Sequence, residues 1–364
     1  MVRRNFWMAL VILLGEWHTG YAQQKIENLI IVTTDGLRWQ EVFGGMDSAI
    51  ARDKRFNQWD SAYIFSRYWS DDVAERRKKL FPFLWSVFVA NGQLFGNRAL
   101  GSEVNTANQY RFSYPGYNEI FTGYPDTAIN TNAYRDNPNV NVLEYIQRQP
   151  GFKDKVAAFG SWEAYRRILN SRRCGFPVMA AFDTIPWKNP TARERLVNEM
   201  KQDSYKPEGE EGCMDVFTHY SAMEYLKTRR PRVLYVAYLE TDEWAHKHMY
   251  KNYLDAARHV DEWLRKLWEF LQADPQYRNK TALWVTTDHG RGDRNKEKWT
   301  SHGAGIVEAS EIWFGAMGPG LPAKGEVRSS PVIWQKQFAQ TFANLLGLVF
   351  TADHPVAEAT QQIR

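Results

Sequence analysis

Six side chains of metal-ligating type stand at or just beyond the ends of apolar runs, and one hydroxyl stands apart from them. Asp35 closes NLIIVTT, Asp242 follows VLYVAYL by way of Glu240 and Thr241, and Asp288 closes ALWVTT and leads into His289 and Gly290. His246 comes four residues after Asp242, and His302 lies in Ser301-His302-Gly303. An i, i+4 pair shares one face of a helical turn, so Asp242 and His246 can grip one ion. Three carboxylates crowded without partners raise one another's pKa, a conflict that cations resolve. Mixed Asp and His ligation suits zinc best, with manganese or iron possible, whereas calcium and magnesium want oxygen alone. Any one of these residues alone reads better as a helix N-cap or a structural histidine. Together they are hard to explain without a ligand. His248 and His259 read as surface or supporting groups, and His219 and His354 have no companions. The separate hydroxyl is Ser113, in FSYPGYNEIFTG (residues 112–123), a stretch with no histidine or lysine to take its proton.

The elements that must position these groups are short and apolar. Asn28–Thr34, Lys155–Phe159, Val233–Leu239, Ala282–Thr287 and Ile312–Met317 are continuous rather than alternating, as in strands buried on both faces of a parallel sheet. Helical patterns lie between them at 80–90, 142–148, 193–201, 253–272 and 332–346. The alternation predicts an α/β domain with a mostly parallel central sheet between helical layers. In such sheets the functional crevice lies beyond the carboxyl ends of the strands, which places Asp35, Asp242 and Asp288 on one edge. Residues 44–79 and 161–230 are more polar and read as insertions forming a cap over that edge.

Of 364 residues, 44% are hydrophobic and 24% charged, an ordinary globular balance, and the formal charge of +4 implies no polyanion partner such as a nucleic-acid duplex. The 15 Trp fit either aromatic clefts or a ring-rich core. Arg3 and Arg4, an apolar run from Phe6 to Leu14 and a polar stretch ending Gly20-Tyr21-Ala22 have the pattern of a secretory signal peptide. The run is too short for a membrane anchor. The expectation is an exported protein, periplasmic or secreted, with one catalytic domain over 23–364. In that compartment the two cysteines, Cys174 and Cys213, favour a disulfide over two separate thiols, with a two-cysteine zinc site a weak third reading.

The order Asp35, Ser113, Asp242-x3-His246, Asp288-His289, His302 resembles the alkaline phosphatase superfamily, nearest to its nucleotide pyrophosphatase/phosphodiesterase (type I phosphodiesterase) branch, over residues 28 to about 320. In that branch a Thr nucleophile is followed by Phe-Pro-Asn-His and then Thr-Gly; here Ser113-Tyr114-Pro115-Gly116-Tyr117 precedes Thr122-Gly123. The resemblance implies Ser113 as nucleophile and metal ligand, Tyr114 as an aromatic that stacks on substrate, and a helix start near Pro115 whose free N–H groups favour phosphate. It further implies Asn132, or failing that Asn130, as donor to a phosphoryl oxygen. One zinc is expected on Asp242, His246 and His302, the other on Asp35, Asp288, His289 and Ser113, ~4 Å apart. A metal then replaces the missing base, and a phosphoseryl intermediate forms and is hydrolysed. Tyr117 stands where the branch carries His, in a position to touch substrate. The phosphate-gripping Arg of alkaline phosphatases is absent, and so is the Arg that sulfatases require. The expected activity is hydrolysis of a small-molecule phosphodiester or pyrophosphate. The alternatives are a phosphomonoesterase on the same site, a sulfatase, and a non-catalytic metal-dependent binding protein.

Overall fold

The computed structural model describes residues 25–206 and 209–364. The expected signal peptide lies outside the described residues. Among the described residues eleven strands occur: β1 (Asn28–Thr34), β2 (Gly92–Phe95), β3 (Val104–Asn105), β4 (Val156–Gly160), β5 (Val178–Ala180), β6 (Val233–Tyr238), β7 (Thr281–Thr287), β8 (Glu311–Ile312), β9 (Phe314–Met317), β10 (Gly325–Glu326) and β11 (Ile333–Trp334). Eight form one sheet in the order β10-β2-β9-β7-β1-β6-β4-β5, and β11-β3-β8 form a small second sheet. All pairs of the large sheet are parallel except those of β9 with β7 and β2.

Every residue of β1, β6 and β7 is buried, as their unbroken apolar runs require. Alternate side chains enter two separate cores. Ile30, Val32, Leu234, Val236, Leu283 and Val285 face one. Leu29, Ile31, Val233, Tyr235, Ala282 and Trp284 face the other. The helix Tyr250–Ala273 packs in the first core through Leu254, Val260 and Leu267. The helices Ser113–Thr122, Val142–Gln147 and Phe338–Leu345 pack in the second. The aromatic richness goes into these cores: Trp284 stacks on Phe314 at 4.5 Å, and Trp299 and Trp313 are also buried.

Several sequence expectations need correction. Ile312–Met317 is two strands in different sheets, since the chain passes from β8 to β9 at Trp313. The expected helix at 80–90 includes a π-helical turn, Leu84–Phe88, whose entry is held by Asp261 accepting from the Phe83 and Leu84 N–H groups. That at 332–346 begins only at Phe338, after β11 and a 3-10 turn. Much of the supposed insertions is core. Ile50, Ile64 and Tyr68 enter the first hydrophobic core, β5 is the edge strand of the main sheet, and the helix Asp215–Arg229 contributes Ala222 and Leu226. Cys174 and Cys213 are both free and buried. Their thiols have separate partners, the Phe176 carbonyl at 3.3 Å and Thr218 Oγ1 at 3.5 Å. No helix among the described residues is long and apolar enough to cross a membrane.

Candidate active site

The register of the central strands assembles the site. Thr34 pairs with Tyr238 on one side and Thr287 on the other, so β1, β6 and β7 end level. Asp35 and Asp288 are the next residues of their strands. The Gly36 N–H donates to Asp288 Oδ1 at 3.1 Å. After β6 the chain turns into the helix Glu240–His246, and the buried Asp215 carboxylate holds that turn by accepting from the Leu239 and Glu240 N–H groups at 2.8 and 3.0 Å. One turn of this helix puts His246 Nε2 3.0 Å from Asp242 Oδ2. His302 Nε2 is 2.9 Å from His246 Nε2 and 3.7 Å from Asp242 Oδ1. His289 Nε2 lies 3.3 Å from Asp35 Oδ1, 3.5 Å from Asp288 Oδ2 and 3.8 Å from Asp242 Oδ1. Its other nitrogen, Nδ1, donates to the Gly290 carbonyl at 2.9 Å, which turns Nε2 toward the carboxylates.

These charges are in conflict without a cation. Burial, then repulsion from Asp242, raises the Asp35 pKa, although His289 pulls against them. Burial and the Asp35 charge hold Asp288 well above the carboxylate range. Burial acts to raise Asp242 as well, but Arg291 and then His246 and His302 keep it well below that range. Burial opposes charge on His289, yet Asp288, Asp35 and Asp242 push it up to about 9. Burial and the neighbouring His289 press His302 down to about 2.

The residues fit a metal centre. Asp35, Asp288 and His289 form one group, and Asp242, His289 and His302 a second, each with its ligand atoms within 4.8 Å of one another. His246, by its contacts with Asp242 and His302, belongs to the second group. Asp288 Oδ2 is buried without a hydrogen-bond partner, which is costly for a carboxylate oxygen unless something else binds it. A Cβ at Gly36 would lie 2.5 Å from Asp242 Oδ1 and 3.1 Å from His289 Cε1, so the cradle depends on glycine.

Ser113 is the first residue of its helix, and its hydroxyl oxygen lies 3.4 Å from Asp35 Oδ1 and 3.4 Å from His289 Nε2. Gly116 lets this helix seat on the β7 end: a Cβ at residue 116 would meet the Asp288 carbonyl oxygen at 2.6 Å. Asn132 Oδ1 accepts from the Tyr114 N–H at 2.9 Å, which brings its side-chain amide beside the nucleophile. Asn130 is exposed and has no such contact. The expected cluster of free N–H groups for phosphate is largely spent. That of Tyr114 is taken by Asn132, Pro115 has none, and that of Gly116 donates to the Phe112 carbonyl. Both tyrosines differ from expectation. Tyr114 is fully buried, with its hydroxyl donating to the Arg135 carbonyl at 2.7 Å, so it presents no face to a substrate. Tyr117 is also fully buried, one turn on from Ser113, and donates to Asp35 Oδ2 at 3.1 Å. It supports a carboxylate rather than reaching a substrate.

Sequence reasoning missed several supporting groups. Arg291, two residues after His289, is fully buried with Nη2 3.0 Å from Asp242 Oδ1. Thr241 Oγ1 donates to the Asp35 carbonyl, and Gln335 Nε2 to that of Asp288 at 2.7 Å. The buried Arg38 pairs with Glu41 and donates Nη1 to the Gly292 carbonyl at 3.1 Å, tying the loop after β1 to the loop after β7. Arg291 stands in the same Asp288-His289-Gly290-Arg291 run as two of the ligating residues, and that adjacency was the available signal.

Comparison with known proteins bears on the family and the fold. A family model described as type I phosphodiesterase / nucleotide pyrophosphatase matches residues 52–317. Asp35 precedes that span and is joined to it by the sheet and by its contacts with Ser113, Tyr117 and His289. No curated protein matches the sequence. Among solved structures, a mutant of the alkaline phosphatase PafA superposes with a TM-score of 0.61 at 10% identity, over 93% of this chain and 99% of that one. The phosphonate monoester hydrolase of Agrobacterium radiobacter gives 0.56 at 12% identity, over 92% and 76%. The lipoteichoic acid synthase LtaP of Listeria monocytogenes gives 0.56 at 13%, over 89% and 73%. At these identities the likeness is one of fold.

Proposed function

This chain belongs to the type I phosphodiesterase / nucleotide pyrophosphatase family of the alkaline phosphatase superfamily, and on that footing we propose that it is a two-zinc hydrolase of phosphodiester or pyrophosphate bonds with Ser113 as its nucleophile. One observation carries the reading: the Ser113 hydroxyl stands 3.4 Å from both a carboxylate and an imidazole of the ligating cluster, and among the described residues it has no other side-chain partner. Asp35, Asp288 and His289 would hold one ion beside Ser113, and Asp242, His246 and His302 the other. Bound there, zinc would lower the pKa of the serine hydroxyl and offset charge developing on the leaving oxygen.

The chain's own residues account for the rest. Asp35 Oδ1 and His289 Nε2 face the Ser113 hydroxyl and orient its oxygen. The hydroxyl gives its proton to solvent and its oxygen bonds to phosphorus as the bond to the leaving oxygen breaks, and the leaving oxygen takes a proton from solvent. Water then cleaves the phosphoserine, releasing the phosphoryl product and restoring the hydroxyl. Asn132, its Oδ1 fixed by the Tyr114 N–H, has an amide left to donate to a non-bridging oxygen. Two cations beside this helix start are committed elsewhere. Arg111 Nη1 is bonded to the Ala304 and Ile306 carbonyls, each at 3.3 Å, and Arg167 to Glu163 and the carbonyls of Asn132 and Tyr134. A monoester dianion wants such a cation more than a diester monoanion does, which favours the diester. We also read the protein as exported, from the Arg3-Arg4 and Phe6–Leu14 pattern.

Rates on matched 4-nitrophenyl phosphodiester, phosphomonoester and sulfate substrates test this reading. The diester is expected to be turned over at least about tenfold faster in kcat/KM than either other substrate. A faster monoester would make the protein a phosphomonoesterase on the same site, and turnover of sulfate alone would make it a sulfatase.

A further inference from the structure

The two halves of the ligating cluster differ in solvent contact and in charge. Asp35, Asp288 and His289 have side chains 1%, 0% and 0% exposed, whereas Asp242, His246 and His302 are 8%, 44% and 13% exposed. Attraction to a dication is strongest where water is excluded, which favours the inner set. The charge count points the same way. The inner set offers two carboxylates and an imidazole. The outer set offers one carboxylate and two imidazoles, and that carboxylate is already engaged by a guanidinium. Arg291 is fully buried, Nη2 lies 3.0 Å from Asp242 Oδ1 and donates to the Asp242 carbonyl at 3.3 Å, and Nε and Nη1 have no hydrogen-bond partner among the described residues. A guanidinium stays charged at any working pH, so this cation cannot step aside when a metal arrives. With its ligands deprotonated to receive an ion, the inner set presents the charge of two carboxylates, and the outer set that of one carboxylate offset by Arg291.

We propose that the two half-sites load unequally, the inner one retaining its ion and the outer one exchanging it, and that Arg291 is the positioning residue that sets the difference. The proposal rests on the two-metal reading above. In structural terms, Arg291 fixes Asp242 with one oxygen toward itself and the other toward His246, and lowers what that carboxylate can give to an ion. The cost in affinity leaves the outer ion free to come and go with solvent.

Calorimetric titration of the chelated, full-length protein with Zn2+ tests it, with circular dichroism confirming that each variant is folded. Wild type is expected to bind two equivalents in two steps, the second at least about tenfold weaker. His302→Ala should remove the second step alone. Arg291→Met should tighten the second step about tenfold and bring it toward the first, while Arg291→Lys, which keeps the charge, should preserve the gap. Two equal steps in wild type, or the same second-step affinity in the Met variant as in wild type, would overturn the proposal while leaving a two-metal site standing. Equal shifts in the Met and Lys variants would also overturn it, by showing that shape and not charge matters. Should Arg291→Met not fold, the Lys variant and the wild-type step ratio still decide. Binding of no zinc at all would sink the two-metal reading itself, which is a distinct outcome.

Discussion

Ser113→Ala is expected to lower kcat/KM on an aryl phosphodiester by at least about 10³-fold while the protein still binds two zinc ions. Removing a nucleophile leaves only binding and electrostatic stabilisation to act on the substrate, and those do not replace a covalent step. Six ligating side chains remain without the serine, and its oxygen makes only 3.4 Å contacts to Asp35 and His289, so the cluster should survive the change. Steady-state kinetics beside a zinc stoichiometry checks both parts. Activity within tenfold of wild type would mean that another group attacks phosphorus. Loss of both activity and zinc would mean that Ser113 holds the site together rather than attacking.

Gly36→Ala is expected to be nearly as damaging, for a reason in the backbone. Gly36 has φ +57, where an L side chain costs about 1 kcal/mol, and that alone should lower Tm by only about 1–2 °C in a chain of this size. The added Cβ would also lie 2.5 Å from Asp242 Oδ1, and the carboxylate must give way. A displacement of about 1 Å at a reacting centre costs on the order of 10²-fold in rate. A fall of that size in kcat/KM beside a small Tm change is the expected result. Full activity would show that Asp242 need not stand where it does.

The central sheet was readable because β1, β6 and β7 are buried on both faces, which leaves an unbroken apolar run as their only pattern. Their level ends then brought Asp35, Asp242 and Asp288 together without any knowledge of loops. Residues that depend on helix phase were harder to place. Tyr117 is four residues after Ser113 and so shares its face toward Asp35, whereas Tyr114 turns by about 100° into the second core. The motif position suggested substrate for both, but packing decided otherwise. Arg291 was passed over because arginine is rarely buried unless paired, and its partner Asp242 is 49 residues away in sequence. The cysteines carried no local signal of their own partners. Pairing is a matter of Cα separation and direction, which spacing along the chain does not contain. The supposed insertions misled for a related reason: polar helices such as Ser61–Tyr68 bury only Ile64 and Tyr68, so the core they complete is invisible in their composition.

The central claim is that metal held by strand-end carboxylates and histidines makes a serine without a base into a nucleophile. The most direct measurement is diester turnover by chelated protein as Zn2+ is returned in steps. Turnover should be absent in the chelated protein and return with zinc in wild type, but not in Ser113→Ala at the same zinc content. Undiminished turnover by the chelated wild type would contradict the account.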